Sequence, residues 1–482
     1  FFVKIINNYT FVDAEGRYYT FKKDASGNFL TDTASGMTLK KTTAGYTLIK
    51  LDAFTRTFDN QGKLLTKSDN FGNSWIMVYD TEGKLSNVKD SVQRTLFTFT
   101  YDTNNRIAKA TDIAGRQVTY EYDSFGNLIK ATDAGANIHT YTYNSYHGIT
   151  TKTNPLNETF TIEYQYPDRG IVNKVIDPVG TELIKQGKPA AGHETTYQYD
   201  FNNKTFYVTD KNGRTLKKTV NDKGKPTSEE DTVAATLRKV EYLDNRIEKT
   251  TDELGNITIE QKDEWGNVIK RIDGEGNETR YTYTTGNRLT SITYPDTRID
   301  KYEYNQYGNI TKETAAQGTA EETITTYTYD TYGQLIATTK GGGVTTTYAY
   351  DNAGNITEIK DPNGNVTTMT YDNVGNLLTT TAPLIGTTTF ANHDYKGNPG
   401  KITDPNGNIM LNTYDALGRV KTITNQADNS TTEYFYTTST SCPTCGQGSV
   451  GNIDHIVLPE GNKIDYEYDN AGNLITIKDN QG

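Results

Sequence analysis

Long apolar runs are missing from this 482-residue chain, in which no segment approaches the roughly 18 apolar residues of a membrane-spanning helix. Clusters of lysine and arginine are missing as well, and the formal net charge is −11 at pH 7. Because phosphate binding needs clustered positive charge, nucleic acid is not expected as a partner. No stretch shows helical periodicity, which indicates an all-β chain.

Aliphatic residues are scarce for a chain of this length. Apolar residues make up 34% of the sequence, and tyrosine, with 35 copies, supplies much of that share. A compact two-sheet sandwich would need more Leu, Val and Ile to fill its core. Low hydrophobicity is also typical of disorder, but disorder does not place tyrosines in a fixed register. We therefore expect a single curved sheet layer around a hollow, with much of its surface wet.

Signatures of common catalytic sites are missing too. The chain has no G-x-S-x-G stretch and no Gly-rich phosphate loop that ends in Lys-Ser/Thr. Its five histidines are dispersed, at His139, His147, His193, His393 and His455. Carboxylates are too numerous for their spacing to select an acid–base pair. We therefore predict no catalytic, cofactor-binding or metal-binding residues, no enzymatic activity and no cofactor.

Cysteine occurs only twice, in the motif Cys442-Pro443-Thr444-Cys445. The favoured interpretation is a local disulfide that staples a loop, as expected outside the cytoplasm. A redox pair is disfavoured because no helix N-terminus is predicted that would lower a thiol pKa. Half of a zinc site would need two further ligands, and the nearest histidine is His455. Free thiols are the remaining alternative.

What the chain does contain is a fixed repeat of 21 residues. In each copy Tyr-Asp is followed by two variable residues, Gly, a polar residue and Leu or Ile. The predicted structural residues of three successive copies are Tyr329, Asp330, Gly333, Tyr350, Asp351, Gly354, Tyr371, Asp372 and Gly375. Asp372 suits the first position of a type I turn, and Gly375 supplies the positive φ needed three residues later. This is the chemistry of a short hairpin loop with a bulge.

The residues around the turns alternate with a period of two, as in Tyr348 and Tyr350. Residues i and i+2 of a strand lie on one face, so each Tyr-x-Tyr pair places two rings on the same side. The unit is therefore a strand, a tight turn, a strand and a looser second turn, such as those at Asp361 and Asp404. A fixed period of about 20 residues marks a repeat architecture.

The register divides the chain into two parts. Residues 1–57 are strand-rich but out of register, and we predict a lead-in that caps the first repeat. Residues 58–482 form the repeat array, which is looser between about 145 and 245. An insertion at 180–192 and a polar loop at 222–231 lie there. They are interpreted as surface loops, with a plug or a docking site as alternatives.

The pattern Y-D-x-x-G-[NRQ]-[LIV] at this spacing resembles the YD repeat of Rhs and teneurin-type proteins. The resemblance covers about residues 58–482, and residues 13–19 and 45–48 resemble the segment that precedes the repeats in bacterial members. It implies a β-sheet ribbon that spirals into a large hollow shell. In bacterial relatives the shell commonly encloses a C-terminal toxin, and in animal relatives it is part of an adhesion ectodomain. The Asp-Pro-rich segment with a self-cleavage site that closes toxin-bearing members is not found here.

Together these observations predict a non-catalytic structural shell of a secreted or cell-surface protein, most readily a bacterial one of the polymorphic toxin kind. The shell would enclose or display a polypeptide encoded elsewhere in the protein, since the chain starts at Phe1 and stops inside a turn, as a piece of a longer protein would. One alternative is a surface adhesin that binds glycan or protein, because exposed tyrosines can stack on sugars. Another is a self-associating extracellular filament or matrix protein.

Overall fold

The structure is a computed structural model that describes residues 4–6, 10–13, 17–24, 28–29, 37–50, 54–69, 71–232, 234–243, 246–438, 451–469 and 472–479. Three short strands, β1 (Lys4–Ile6), β2 (Thr10–Val12) and β3 (Tyr18–Thr20), form a small antiparallel sheet. One helix, α1 (Pro178–Lys185), and two 3-10 turns, Pro167–Arg169 and Gly341–Gly343, interrupt a long series of strands. No helix in these ranges has the length and hydropathy that crossing a membrane requires.

Forty strands build the body of the molecule. The first twenty are β4 (Met37–Thr42), β5 (Gly45–Lys50), β6 (Phe54–Phe58), β7 (Leu64–Ser68), β8 (Ser74–Tyr79), β9 (Leu85–Lys89), β10 (Thr95–Tyr101), β11 (Ile107–Asp112), β12 (Gln117–Tyr122), β13 (Leu128–Thr132), β14 (Ile138–Tyr143), β15 (Ile149–Thr153), β16 (Thr159–Tyr166), β17 (Ile171–Ile176), β18 (Glu194–Asp200), β19 (Thr205–Thr209), β20 (Thr215–Val220), β21 (Pro226–Asp231), β22 (Thr236–Tyr242) and β23 (Ile247–Thr251). The others are β24 (Ile257–Lys262), β25 (Val268–Ile272), β26 (Glu278–Tyr283), β27 (Leu289–Thr293), β28 (Ile299–Tyr304), β29 (Ile310–Ala315), β30 (Thr323–Tyr329), β31 (Leu335–Lys340), β32 (Val344–Tyr350), β33 (Ile356–Lys360), β34 (Val366–Tyr371), β35 (Leu377–Ala382), β36 (Gly386–His393), β37 (Pro399–Thr403), β38 (Ile409–Tyr414), β39 (Val420–Asn425), β40 (Thr431–Tyr436), β41 (Ile453–Val457), β42 (Lys463–Tyr468) and β43 (Leu474–Asp479).

These forty strands form one antiparallel sheet in chain order, in which each strand from β5 to β42 pairs with its predecessor and its successor. No pairing among the described residues joins β43 back to β4, so the sheet is an open, spiralling ribbon and not a closed barrel. The all-β repeat ribbon predicted from the sequence is confirmed. Because neighbouring strands are also neighbours in the chain, every pairing can form locally.

Large buried side chains gather at the start of the ribbon. The cluster consists of Phe11, Phe21, Met37, Leu39, Tyr46, Leu48 and Phe58. Phe11 of the small sheet packs edge-on against Phe58 of β6, with ring centroids 6.2 Å apart. Residues 10–21 therefore cover the first strands of the ribbon with a conventional apolar core.

The rest of the ribbon has no comparable core. After Phe58 the buried apolar residues in the described ranges are Val88, Ile176, Pro178, Val179, Ala190 and Ala316. Along β12 and β14, half-buried residues alternate with exposed ones. This pattern belongs to one sheet layer with two wet faces, because a second packed sheet would bury one face completely.

Each tight turn depends on one carboxylate. In the turn after β34, Asp372 Oδ1 accepts the backbone N–H groups of Val374 and Asn376 at 2.9 and 2.8 Å. Asp372 Oδ2 accepts the Asn376 side-chain amide at 2.8 Å. Gly375 has φ +90° and donates its N–H to the Asp372 carbonyl at 3.1 Å. The strand register shifts between Thr370 and Tyr371, so the turn ends in the bulge that the sequence predicts.

The tyrosine before each Asp ties one hairpin to the previous one. Tyr371 donates its hydroxyl hydrogen to the carbonyl of Ile356, the first strand residue after the preceding turn, at 2.9 Å. The backbone ladder between β33 and β34 stops at the pair Glu358 and Thr368. Beyond that pair, the Tyr371 hydroxyl supplies the hydrogen bond between the two strands that the backbone does not form. Thirteen tyrosines make this bond at 2.6 to 3.0 Å, namely Tyr79, Tyr101, Tyr122, Tyr143, Tyr164, Tyr242, Tyr283, Tyr304, Tyr329, Tyr350, Tyr371, Tyr414 and Tyr436.

One short helix, α1, lies within this all-β chain, at a place where the sequence shows no helical periodicity. Asp177 caps the helix by accepting the N–H of Gly180 at 2.9 Å, and Pro178 stands at the first helical position. The helix has eight residues, which is too short to produce a periodic apolar pattern in the sequence. The Asp-Pro pair was the one local signal for it.

A Tyr371→Phe substitution tests the hydroxyl bond between hairpins. It should lower the local free energy of opening by about 1 kcal/mol, the usual net value of one hydrogen bond, and speed amide exchange in 356–371 roughly fivefold. Hydrogen–deuterium exchange with mass spectrometry measures this. The control is Tyr146→Phe. Tyr146 is 60% exposed, and its hydroxyl has no hydrogen-bond partner in the described structure. Equal exchange in both variants would contradict the role assigned to the tyrosine.

Candidate functional site at the seam between windings

The ribbon has two edges, because alternate loops of a meander lie at opposite ends of the strands. The Tyr-Asp edge carries the loops that begin at Asp59, Asp80, Asp102, Asp123, Asn144, Asp263, Asn305, Asp330, Asp351, Asp372, Asp394, Asp415 and Asp469. The opposite edge carries the loops that begin at Asp69, Asp90, Asp112, Asp133, Asn154, Asp210, Asp252, Asp273, Asp361, Asp404 and Leu458. The predicted residues Tyr329, Tyr350 and Tyr371 thus all end strands at the Tyr-Asp edge.

The two edges meet each other across a seam. Five hydrogen bonds join residues that are between 257 and 279 positions apart. In each, the opposite edge of the earlier winding contacts the Tyr-Asp edge of the later one. One winding therefore takes about 260 residues, and the chain makes more than one winding but fewer than two.

At one end of the seam an aromatic side chain is wedged between loops. The ring of Phe71 lies 5.0 Å from the ring of Tyr307, centroid to centroid. It also covers Gly333, where an added Cβ would lie 2.4 Å from the Phe71 ring. Nearby, the Asn73 side-chain amide donates to the Tyr332 carbonyl at 3.4 Å. Gly333 is thus needed both for its turn and for this close approach.

The centre of the seam is a polar latch around Tyr395. Its hydroxyl donates to Asp133 Oδ2 and accepts from the Asn137 side-chain amide, both at 2.8 Å. Arg116 Nη1 donates to the Tyr395 carbonyl at 3.2 Å. An added Cβ at Gly135 would lie 2.3 Å from the Tyr395 ring, so only glycine fits beneath it. The latch combines hydrogen bonds to a charged group with close packing.

The latch shifts the titration of both partners. Burial and the bond to Asp133 raise the pKa of Tyr395 to about 12. Burial also raises the pKa of Asp133, but the bonds from Tyr395 and Asn137 outweigh it and hold that pKa below its ordinary value. The protonated phenol and the ionised carboxylate are therefore the forms that close the seam.

A third contact connects the helical insertion to the seam. Asp177 is 3% exposed, and its Oδ2 accepts from Lys211 Nζ at 2.6 Å and lies 3.2 Å from His193 Nδ1. Burial raises the pKa of Asp177, but the hydrogen bonds from His193, Gly180 and Lys211 lower it by more. The pKa of Asp177 therefore lies below its ordinary value. The insertion is thus pinned to the loop at Asp210, whose Asn212 amide donates to Asp469 Oδ2 of the next winding at 3.1 Å.

The carboxylates predicted as turn residues accept hydrogen bonds from their own turns. Asp330 Oδ1 accepts from the backbone N–H groups of Tyr332 and Gln334, and both oxygens of Asp351 are occupied within its own turn. Gly333 and Gly354 have φ +82° and +91°. No group of three or more His, Cys, Asp or Glu side chains in the described ranges could hold a metal ion. Cys442 and Cys445 lie outside the described residues.

Sequence reasoning missed the seam itself. Its signals are departures from the repeat: an aromatic residue at Tyr395, directly after Asp394, and the Ala134-Gly135-Ala136 sequence in place of the usual turn residues. Neither identifies its partner, because the two positions are about 260 residues apart in the chain.

Replacing Tyr395 by Phe should lower stability by about 1.5 kcal/mol, as for a hydrogen bond to a charged group. Because the folded-state pKa of Tyr395 lies above the ordinary 10.0, its contribution is present below pH 10 and is lost as the pH rises to about 12. The difference in thermal unfolding between wild type and Tyr395→Phe, followed by circular dichroism, should therefore shrink towards zero over that range. A difference that stays constant with pH would contradict the latch.

Two family models match the sequence. The teneurin YD-shell family model matches residues 191–476, more than half of the 482 residues, and the RHS repeat family model matches residues 101–138. No match was found among curated proteins.

Several of the solved structures that match the chain are toxin complexes. They include TcdB2-TccC3, with a TM-score of 0.49 and 12% identity over 89% of this chain, and the same complex without its hypervariable C-terminal region, with 0.42 and 13% over 92%. A third is the Photorhabdus luminescens Tc holotoxin pore, with a TM-score of 0.29 and 13% identity over 97%. The chain spans 30%, 30% and 25% of the length of these structures. On its repeats and on the extent of the family match, the chain belongs to the teneurin YD-shell family.

Proposed function

We propose that the chain forms the wall of a shell that encloses or displays a polypeptide, and that it has no catalytic activity of its own. The observation that carries this proposal is a single sheet layer of forty strands that winds past itself and meets along a seam. A ribbon with solvent on both faces has no apolar interior of its own. We therefore infer that its curved shape serves to surround another polypeptide.

The chemistry of the wall supports a passive role. The repeat carboxylates are hydrogen-bonded within their turns, as at Asp372, and the repeat tyrosines donate to backbone carbonyls, as at Tyr371. Of the histidines, His193 is buried against Asp177, and His455 stacks on Phe435 with ring centroids 4.3 Å apart. Acid–base catalysis would need such a group placed at a cleft with a free partner.

The partner in this proposal is a polypeptide supplied by the same or a neighbouring chain, as the toxin-like cargo expected from the sequence would be. The setting is extracellular, either secreted or at the cell surface, and the source is bacterial. Tight turns every 21 residues and side-chain bonds between hairpins hold such a wall together without a thick core. That construction suits a container exposed to water on both sides.

Cryo-electron microscopy of the full-length protein, reconstructed without imposed symmetry, tests enclosure. We expect a closed particle whose wall is one sheet thick, with density for a polypeptide inside. A protease added to the intact particle should leave the enclosed segment uncut, whereas denatured particles should be degraded throughout.

Two other outcomes would overturn the proposal. Particles joined end to end would favour a self-associating filament or matrix protein. An open ribbon with an empty, protease-accessible interior would favour an adhesin that binds cell-surface glycan or protein. Activity of the purified wall segment on a substrate would separately contradict the absence of catalysis.

A further inference from the structure

The seam contains a gap where the loops of the two edges fall out of step. On the opposite edge, one loop, at Asp90, lies between the bridged loops at Asp69 and Asp112. On the facing Tyr-Asp edge, two loops, at Asp351 and Asp372, lie between the bridged loops at Asp330 and Asp394. In the described structure no hydrogen bond joins the loop at Asp90 to the loops that face it. One loop thus faces two, and the mismatch leaves a space.

This space is a groove of about 1180 Å³, which we call the seam groove. Its lining includes residues of β7 and β8 and the loop at Asp90 from one winding. From the other winding come residues of β31 and β32 and the loops at Asp330 and Asp351. A volume of this size accommodates a ligand of several rings.

Two aromatic rings stand at the groove with much of their surface open. Trp75 is 48% exposed and Tyr332 is 64% exposed. They belong to different windings, so they flank the groove from its two sides. Exposed aromatic rings beside polar groups are platforms for ligands that have both apolar faces and hydroxyl groups.

The neutral polar side chains of the groove have unused hydrogen-bonding capacity. Ser91, Gln334 and Asn352 line it, and in the described structure their side chains make no hydrogen bond. Hydroxyl and amide groups both donate and accept, as sugar hydroxyls do.

Of the charged groups that line the groove, three of the four carboxylates and Arg94 are already used. Asp330 Oδ2 has no hydrogen bond in the described structure, and Lys67 Nζ lies over one face of the Trp75 ring, 5.3 Å from its centroid. Asp69, Asp90 and Asp351 accept from their own turns through both oxygens, and Arg94 Nε donates to Asp90 Oδ2 at 2.6 Å. A metal ion or an ionic ligand would have to break these bonds. A charged ligand is therefore disfavoured at these three carboxylates.

An extended peptide is disfavoured for a different reason. Binding by strand addition needs an unpaired strand edge. The strands that line the groove, β7, β8, β31 and β32, are each paired on both sides. No backbone ladder is available there for a peptide to extend.

From these observations we propose that the seam groove binds a neutral oligosaccharide, with sugar rings stacked on Trp75 and Tyr332 and hydroxyls bonded to Ser91, Gln334 and Asn352. This activity does not depend on whether the wall encloses a polypeptide. It adds glycan recognition to a structural shell, at a place where two distant parts of the repeat array meet.

The chain has only two tryptophans, which makes the test direct. In a Trp265→Phe variant of this 482-residue chain, Trp75 is the only tryptophan. Its fluorescence is followed while chitotetraose, cellotetraose or maltotetraose is added to millimolar concentrations. We expect a saturable change in intensity and wavelength with at least one of the three. The Trp75→Phe variant, which keeps Trp265 outside the groove, should show none.

Matched tyrosine variants locate the site. Tyr332 and Tyr146 occupy the same turn position and are similarly exposed, at 64% and 60%, but only Tyr332 lines the groove. In the Trp75-only background, Tyr332→Ala should weaken binding about tenfold, the equivalent of one lost stacking contact, and Tyr146→Ala should not change it.

If circular dichroism shows that Tyr332→Ala misfolds, a double Ser91→Ala, Asn352→Ala variant replaces it in the binding measurement. These two substitutions remove no hydrogen bond of the described structure. It too should bind at least several-fold more weakly. Absence of a saturable Trp75 response to all three sugars overturns the proposal. So does equal weakening by Tyr146→Ala and Tyr332→Ala.

Discussion

The hydrogen bond from a repeat tyrosine to the carbonyl of the previous hairpin is the interaction on which the ribbon depends. The Asp-x-x-Gly turn ends in a bulge, and the ladder between hairpins stops short of it, as between Glu358 and Thr368. Without another donor, the carbonyl of Ile356 would lack a partner inside a half-buried wall. The phenol supplies that donor and also places its ring over the neighbouring hairpin. This explains why the repeat uses Tyr in most copies, while Phe58 stands in the lead-in core.

A wall built in this way distributes its stability along the chain. Each hairpin is bonded to its two neighbours, and very few apolar side chains are fully buried beyond the lead-in. The low aliphatic content is therefore a consequence of the architecture. Conformational entropy is offset by turn carboxylates, tyrosine hydroxyls and strand ladders, repeated about every 21 residues. Only the first strands, which have no earlier hairpin to bond to, are covered by a dense core around Phe11 and Leu48.

The sequence was sufficient for the turns and the strand alternation of the repeat. The turn roles of Asp372 and Gly375 and the shared face of Tyr-x-Tyr pairs follow from spacing within one or two repeats, and the single sheet layer follows from the low aliphatic content. The helix α1 was missed because eight residues in an insertion give no periodic signal, although Asp177-Pro178 marks its start. The latch between Asp133 and Tyr395 was missed for a deeper reason. Its register depends on the sum of small rotations over about 23 strands, which no local pattern encodes.

The wall differs in mechanical strength between the direction along the ribbon, where contacts are local in sequence, and the direction across the seam, where they are not. Along the ribbon, neighbouring strands are joined by continuous backbone ladders and by phenol bonds. Across the seam, the described structure has five side-chain hydrogen bonds and the Phe71–Tyr307 ring contact. Separating two windings therefore requires far fewer bonds to break than cutting the ribbon does. A shell of this construction has its line of least resistance at the seam, and the groove lies on that line. A ligand bound to Trp75 and Tyr332 at once would contact both windings, so its binding free energy would oppose their separation.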